Sequence, residues 1–527
     1  MSTTRFSRPQ PGILPQALRR SSLFNGPGLD GTVLVPLVCA AVRRAQRLPA
    51  VDEKTLDEVR QRRRNRPGRP FEAALSAPGA RFILEVKAAS PSCGLMLERV
   101  DESDYARVFG AYADAVSVLT EPEFFGGSFA RLASLRARIR QPILAKDVFV
   151  AENQILAAAQ AGADAVLLML SVLSDEGYRR LAGFAQALGL EILTEASAVE
   201  EIERARALGA RLVGLNNRNL RTLEVDVTKA VRWVRDERAS DVRFVAESGF
   251  RSWTSILSSR TSAPRIAAFL CGSVLSQAPN LSLAVRTLLY GHSKVCGITR
   301  ASDAMAAVRA GAVSVGVILA SRSPRAVSVR AAAALVRAVR AATEAEKSPV
   351  EIVAVTDLEE VDEVLADLSA MRIDVLQLHG EVAEMSPKRL SAIQSRLPGV
   401  VLAAAVAVPV EVAPDGVLLP TARRIERLQA IGLVDRVVLD AGDDQGRSGG
   451  TGRRAAPENL AAFKGLSRVV LAGGLQAGNL HDALRAALAA GLDLYGVDFN
   501  SGVEEAPGRK SAASIRATFA ALLGRTF

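Results

Sequence analysis

The sequence predicts an α/β protein made of two consecutive (β/α)8 TIM barrels behind a short, partly disordered, basic N-terminal extension. Three observations lead there. The 527 residues are too many for one hydrophobic core and enough for two domains of about 250 residues each. From residue 82 onward, short and wholly apolar runs alternate with amphipathic stretches, the pattern of parallel strands buried on both faces. Eight such units complete one closed barrel, and the rhythm then restarts for eight more.

In the first half the runs are Phe82–Lys87, Ala115–Glu121, Pro142–Asp147, Ala165–Leu170, Glu191–Ala196, Leu212–Asn217, Arg243–Gly249 and Ala268–Ser273. Helical stretches such as Glu152–Ala161 and Glu200–Leu208 separate them, many closing on Ala-Gly-Ala or Leu-Gly. The second set is Lys294–Thr299, Ser314–Leu319, Glu351–Thr356, Val375–Gly380, Val400–Val408, Arg436–Asp440, Arg468–Gly474 and Leu494–Asn500, with Gly416–Leu419 open as a further short strand. The expected divisions are a flexible extension over 1–45, a first barrel over 46–290 and a second over 291–527.

The net charge of +10 looks like a nucleic-acid signal until it is located. Residues 1–70 hold 14 Lys/Arg against five Asp/Glu, so the barrels themselves are nearly neutral and present no basic footprint. The run Arg60-Gln61-Arg62-Arg63-Arg64-Asn65-Arg66 reads as a solvated helix end. Residues 1–29 contain no acid and superficially suit a targeting segment, although an unstructured extension or an upstream start is the simpler reading. Cys39, Cys93, Cys271 and Cys296 show no C-x-x-C spacing, which speaks against disulfides and zinc and for a reducing compartment. The apolar run Val33–Val42 is too short to span a bilayer. A cytoplasmic monomer without nucleic-acid or membrane partners is expected.

Chemistry in such barrels sits at the carboxyl ends of the strands, and here those ends are polar. In the first half, Lys87 and Lys146 with Glu85, Glu195 and Glu247 would point into one bowl, where opposite charges tune each other into acid and base. The late tips Glu247-Ser248-Gly249 and Cys271-Gly272-Ser273 offer backbone N–H groups for a phosphate. In the second half, Cys296 ends the first strand and Asp440 the sixth. A lone strand-end Cys is more often a buried apolar residue, but opposite a strand-end Asp it can form a base–acid pair for proton transfer at a sugar carbon.

The wording of the first half resembles the indole-3-glycerol-phosphate synthase family. The resemblance rests on Ile83-Leu84-Glu85-Val86-Lys87-Ala88-Ala89-Ser90-Pro91-Ser92, Leu119-Thr120-Glu121, Phe124-Phe125-Gly126-Gly127-Ser128 and Pro142-Ile143-Leu144-Ala145-Lys146-Asp147. Leu193-Thr194-Glu195, Asn216-Asn217-Arg218, Ala246-Glu247-Ser248-Gly249 and Gly272-Ser273 continue it in order. It implies closure of an anthranilate ring carbon onto a ketone, with loss of carbon dioxide and water. Lys146 and Lys87 would be the acids and Glu195 the base that takes the proton whose loss restores aromaticity. Glu85 would position a lysine, Asn216 the sugar hydroxyls, and Arg218 with Ser90 the substrate carboxylate. Phe125 would line the anthranilate pocket, with Ser248, Gly249, Gly272 and Ser273 at the phosphate.

The second half resembles phosphoribosylanthranilate isomerase. The matching words are Lys294-Val295-Cys296-Gly297-Ile298-Thr299-Arg300, Ser323-Pro324-Arg325, Val375-Leu376-Gln377-Leu378-His379-Gly380, Leu439-Asp440, Gly449-Gly450-Thr451-Gly452, Ala472-Gly473-Gly474-Leu475 and Asp498-Phe499-Asn500-Ser501-Gly502-Val503-Glu504. The implied reaction is an Amadori rearrangement with Asp440 as acid and Cys296 as thiolate base. Arg325 would bind the anthranilate carboxylate, and Gly473, Gly474, Asn500 and Ser501 the phosphate. Gln377, His379 and Asp498 complete the substrate set, His379 equally readable as a hydrogen-bonded structural residue. No metal or organic cofactor is implied.

Departures from the two patterns are Cys93 where Lys is common, Val148 where Phe is usual, and Ala404 where Lys is frequent. The alternatives are paired phosphosugar barrels with other chemistry, such as Schiff-base aldol cleavage, or a non-catalytic scaffold. The family's N-terminal lid helix is expected at Asp52–Arg66, leaving residues 1–30 dispensable.

Overall fold

The computed structural model describes residues 10–65, 67–91, 93–235, 241–442 and 454–525. Arg66, Ser92 and the Gly449-Gly450-Thr451-Gly452 motif lie outside the described residues. The chain divides into two compact units, Met1–Arg251 with Ser255–Ala284, and Ser252–Thr254 with Val285–Phe527. Each contains one closed barrel of eight parallel strands that neighbour one another in chain order.

In the first unit the strands are β1 (Arg81–Val86), β2 (Ala115–Leu119), β3 (Ile143–Lys146), β4 (Ala165–Met169), β5 (Glu191–Ala196), β6 (Leu212–Asn216), β7 (Arg243–Glu247) and β8 (Ile266–Cys271). Nearly every strand residue is buried, which is why these segments read as continuous apolar runs with no alternation. In the second unit they are β9 (Lys294–Val295), β10 (Ser314–Ile318), β11 (Glu351–Asp357), β12 (Val375–His379), β13 (Val401–Val408), β14 (Arg436–Ala441), β15 (Val469–Leu471) and β16 (Leu494–Phe499). The runs Lys294–Thr299 and Arg468–Gly474 overshoot because Gly297 (φ 67°) and Gly473 (φ 93°) turn the chain out of the ladder. Gly416–Leu419 is not a strand. It is a turn that leads into the helix Leu419–Ala430.

The expected flexible extension is folded from residue 10 onward. Helix α1 (Leu34–Arg47) buries Leu34, Val35, Leu37, Val38, Ala40 and Ala41, a stripe that cannot be left in water. Ahead of it, Asn25 N–H donates to Val172 O at 2.9 Å and Val33 N–H to Leu220 O at 3.1 Å, pinning the segment to the loops after β4 and β6. The carbonyl of Leu23 lies 2.3 Å from where a Cβ on Gly177 would stand, so that helix position admits only glycine.

Helix α2 (Glu53–Asn65) forms where a helix was expected, but it is not the lid. Its last turn reaches the opposite end of the barrel: Arg62 donates to Ala159 O at 2.8 Å and Gln160 O at 3.1 Å, and Arg63 donates to Gly189 O at 3.2 Å and to Ala163 O. The run is a largely solvated helix end, with Gln61, Arg62, Arg64 and Asn65 exposed, yet two of its arginines also serve backbone carbonyls, the first pair at a helix C-terminus where a cation is favoured. Helix α3 (Phe71–Ser76), with Phe71 and Leu75 fully buried, closes the amino-terminal end of the barrel, where Glu72 N–H meets the Glu191 carboxylate at 2.5 Å. Among the described residues no helix is long and apolar enough to cross a membrane.

Candidate active sites

The carboxyl ends of β1–β8 open into a cavity of about 840 Å³. Glu85, Lys87, Ser90, Phe125, Lys146, Glu195, Asn216, Arg218, Ser248, Gly249, Gly272 and Ser273 all line it. Val33, Leu34 and Leu37 line it as well, which makes α1 and the residue before it the cover of the mouth. The charges form a chain across the cavity. Lys87 Nζ lies 2.6 Å from Glu85 Oε1, while Lys146 Nζ lies 3.5 Å from Glu85 Oε2 and 2.7 Å from Glu247 Oε2. Asn216 Nδ2 donates to Glu195 Oε1 at 3.2 Å.

Burial alone would neutralise such a set, and the pairs decide which members keep their charge. For Glu85 burial is outweighed by Lys87 and Lys146, which hold its carboxyl at about 2. Burial also opposes the Lys146 ammonium, yet Glu247, Glu85 and Glu195 hold its pKa above the usual lysine range. For Glu195 the balance tips the other way: burial and then the charge of Glu247 push it up to about 7, against the pull of Lys146. One pocket thus contains a fixed cation and a carboxyl poised near neutrality.

Two glycines make room for this arrangement. A Cβ on Gly272 would stand 2.4 Å from Glu85 Oε1, and one on Gly214 would stand 2.1 Å from Glu247 Oε1. Glu247 Oε1 has no hydrogen-bond partner among the described residues. The tips after β7 and β8 carry Ser248 (φ 69°) and Gly249 (φ 92°), and Gly272 with Ser273 at the start of a helical turn.

In the second barrel, Cys296 follows β9 with its sulfur packed toward Gly316, where a Cβ would stand only 2.7 Å away. Burial pushes the thiol up to about 11, against the pull of Lys294. Asp440 on β14 is pushed up to about 7 by burial and by Asp498. Lys294 Nζ lies 2.9 Å from Asp498 Oδ2 and donates to Gln377 Oε1, and Gln377 meets His379 Nε2 at 2.8 Å. Burial and the charge of Lys294 take His379 down to about 4, so its ring is neutral. Arg325 does not stand free for a substrate: its Nε and Nη2 grip Glu504 at 2.8–3.0 Å. Gly297 brings the loops together, because its missing Cβ would lie 2.7 Å from Asn500 Oδ1 and 2.8 Å from Arg325 Cδ. Gly473 and Gly474 follow β15, and Asn500 and Ser501 follow β16, at the same end of the barrel. Among the described residues no cluster of three His, Cys, Asp or Glu could hold a metal ion.

The family model of indole-3-glycerol phosphate synthase matches residues 40–288, and that of N-(5'phosphoribosyl)anthranilate (PRA) isomerase matches residues 293–521. The tryptophan biosynthesis protein TrpCF of Yersinia pestis is 38% identical over 463 residues, covering 86% of this chain and 87% of its own length. TrpCF of Vibrio parahaemolyticus is also 38% identical, over 456 residues, with 86% and 87% covered. The chain belongs to the TrpCF family. It is a bifunctional enzyme of tryptophan biosynthesis, with a synthase barrel followed by an isomerase barrel.

Two cations of the TrpCF sites, Arg44 and Lys510, escape a reading of strand ends. Arg44 on α1 donates to Glu121 at 3.2 Å and to Asp147. Glu121 itself caps the turn Pro122–Phe125, accepting from the N–H groups of Glu123, Phe124 and Phe125 at 2.7–3.1 Å, and so sets where Phe125 stands. In the isomerase barrel, Lys510 Nζ donates to Asn500 Oδ1 at 2.9 Å and to Glu504 Oε1 at 2.6 Å. The apolar run at Val33–Val42 was the available sign of the lid, since a stripe too short for a membrane is long enough for an amphipathic helix.

Proposed function

We propose that Lys146, held between Glu85 and Glu247, is the centre of the synthase chemistry, and that Cys296 and Asp440 carry the isomerase chemistry. In the isomerase barrel the substrate is N-(5-phosphoribosyl)anthranilate. Asp440 gives its proton to the furanose ring oxygen as the C1–O bond breaks, leaving an imine. The Cys296 thiolate then takes the proton from sugar C2, and the enolamine relaxes to 1-(2-carboxyphenylamino)-1-deoxyribulose 5-phosphate. Arg325 keeps its Nη1 side for the anthranilate carboxylate. Gly473, Gly474, Asn500 and Ser501 hold the phosphate.

That product is the substrate of the synthase barrel. As the ring carbon bonds to the ketone carbon, Lys146 or Lys87 donates to the ketone oxygen. Carbon dioxide then leaves and its electron pair returns to the ring. A second proton from the lysines releases the hydroxyl as water, and Glu195 accepts the proton whose loss completes the indole. Asn216 meets the sugar hydroxyls, and Arg218 with Ser90 meets the carboxylate. Phe125 packs on the ring, and the tips at Ser248–Gly249 and Gly272–Ser273 take the phosphate. The observation that carries the reading is the Lys146 ammonium shared by two buried carboxylates beside a third that titrates near neutrality. A cytoplasmic monomer acting on small phosphorylated substrates, without a nucleic-acid partner, belongs to the same reading. The test is separate complementation of two tryptophan auxotrophs, one lacking each activity. Failure to rescue either strain sinks the corresponding half.

A further inference from the structure

We infer that Lys294 is the fixed counter-charge for a negative charge that passes between Cys296 and Asp440 during isomerisation, which makes it a positioning residue of that reaction. The inference rests on the proposed base and acid roles of those two residues.

Lys294 is 5% exposed and stands in register between Ser314 of β10 and Asp498 of β16. Its ammonium lies 2.9 Å from Asp498 on one neighbouring strand, yet it also reaches Gln377 on β12, three strands away in the other direction. A side chain can make both contacts only by lying across the barrel interior. Cys296 is two residues further along the same segment and so on the same side, nearer the mouth. A buried ammonium is costly unless paired, and Asp498 with Gln377 satisfies that requirement. Neither contact accounts for its facing both proposed catalysts: Cys296 and Asp440 each feel the charge of Lys294.

The proton inventory explains why one cation should face both. In the reacting form Cys296 is a thiolate and Asp440 a neutral acid, the less populated arrangement of the singly charged pair, since burial holds the thiol at about 11 and the carboxyl at about 7. Once Asp440 has given its proton to the ring oxygen and Cys296 has taken one from C2, the thiol is neutral and the carboxylate is charged. The total charge of the pair is unchanged and only its position moves. A cation that faces both ends stabilises both states, so no ion need rearrange as the proton moves. Other groups act on the pair without sharing this property. Asp498 opposes a negative charge at either end, and Lys510, tied to Glu504 and Asn500, acts on Cys296 alone. The N–H groups of Gly297 and Ala441 each help one end, and His379 contributes a neutral ring.

The experiment is the pH dependence of isomerase kcat/KM in the full chain. The active pair carries one negative charge in total, so the rate rises with pH through the pair's first ionisation. Lys294→Met should move that acid limb upward by about 1 to 3 pH units. Lys294→Arg, which keeps the charge, should leave it in place, and Asp498→Asn should move it downward. An unmoved limb in Lys294→Met overturns the proposal even if the rate falls, as does an equal upward move in Lys294→Arg. Should Lys294→Met fail to fold, Asp498→Asn decides, and an unmoved or raised limb there overturns it. Retained isomerase activity in Cys296→Ala is a different failure, because it removes the base assignment itself.

Discussion

Arg44, on the helix over the synthase mouth, donates to the buried carboxylate of Asp147, whose neighbour in the chain is Lys146. Its other guanidinium nitrogen reaches Glu121, which caps the turn presenting Phe125. One side chain of the lid therefore meets both the strand that carries the central cation and the loop that carries the ring contact.

Arg44→Ala should uncouple them. It leaves two buried carboxylates without their cation, a loss of roughly 3 kcal/mol of stability. Synthase kcat/KM should fall by roughly tenfold or more, since a lid excludes water and holds an anionic substrate. Isomerase kinetics should not change. Denaturant unfolding and the two assays on one preparation check this, and wild-type synthase kinetics in the variant would detach the lid from catalysis.

Gly177→Ala tests whether the segment ahead of α1 matters. Alanine inside a helix normally stabilises it by up to about 1 kcal/mol relative to glycine. Here the added methyl meets the Leu23 carbonyl, so the expected outcome is the reverse: an undocked segment and a raised synthase KM. An unchanged KM with a more stable protein would show that residues 10–33 are dispensable after all.

Glu195 should set the acid limb of the synthase. Its carboxyl titrates at about 7, so below that pH it is protonated and cannot accept a proton. kcat/KM should rise with pH and level off above neutrality. Since Glu247 supplies part of the upward push after burial, Glu247→Gln should move the limb to lower pH while Glu195→Gln abolishes the reaction. A limb that stays put in Glu247→Gln would assign it to another group.

The two activities should fail separately. Cys296→Ala and Asp440→Asn should each cost the isomerase about 10²–10⁴-fold, and Lys146→Ala should do the same to the synthase. Steady-state assays of both reactions on each purified variant are sufficient. Loss of both activities in a folded single variant would contradict independent sites.

What the sequence revealed, and what it concealed, follows from the same physics. Glu85, Lys146, Glu195 and Asp440 stood out because a charge ending an apolar strand is costly unless used. The barrels were legible because strands buried on both faces leave an unbroken apolar signature. Arg44 gave no such sign: it is one of three arginines in Arg43-Arg44-Ala45-Gln46-Arg47, and only the docked helix shows which one turns inward. The sequence points to Asp52–Arg66 for the lid because that segment is the more obviously helical, but the apolar stripe that seeks a partner lies at Leu34–Ala41. Lys294 begins a strand, where a lysine usually faces water, and its inward path emerges only from register with Asp498.

Gly214 and Gly272 give the synthase pocket an uncommon kind of fragility. Most active sites fail when atoms are removed, but this one should also fail when a single methyl is added. In a saturation scan even alanine at either position should displace the Glu247 or Glu85 carboxylate from its lysine and lower synthase activity, although neither glycine offers a functional group. The flanking acids would show a graded response, with the amide isostere milder than anything that alters shape. Variation that is silent in most of the barrel wall is thus closed off at two points, each defined by the carboxylate oxygen resting against it.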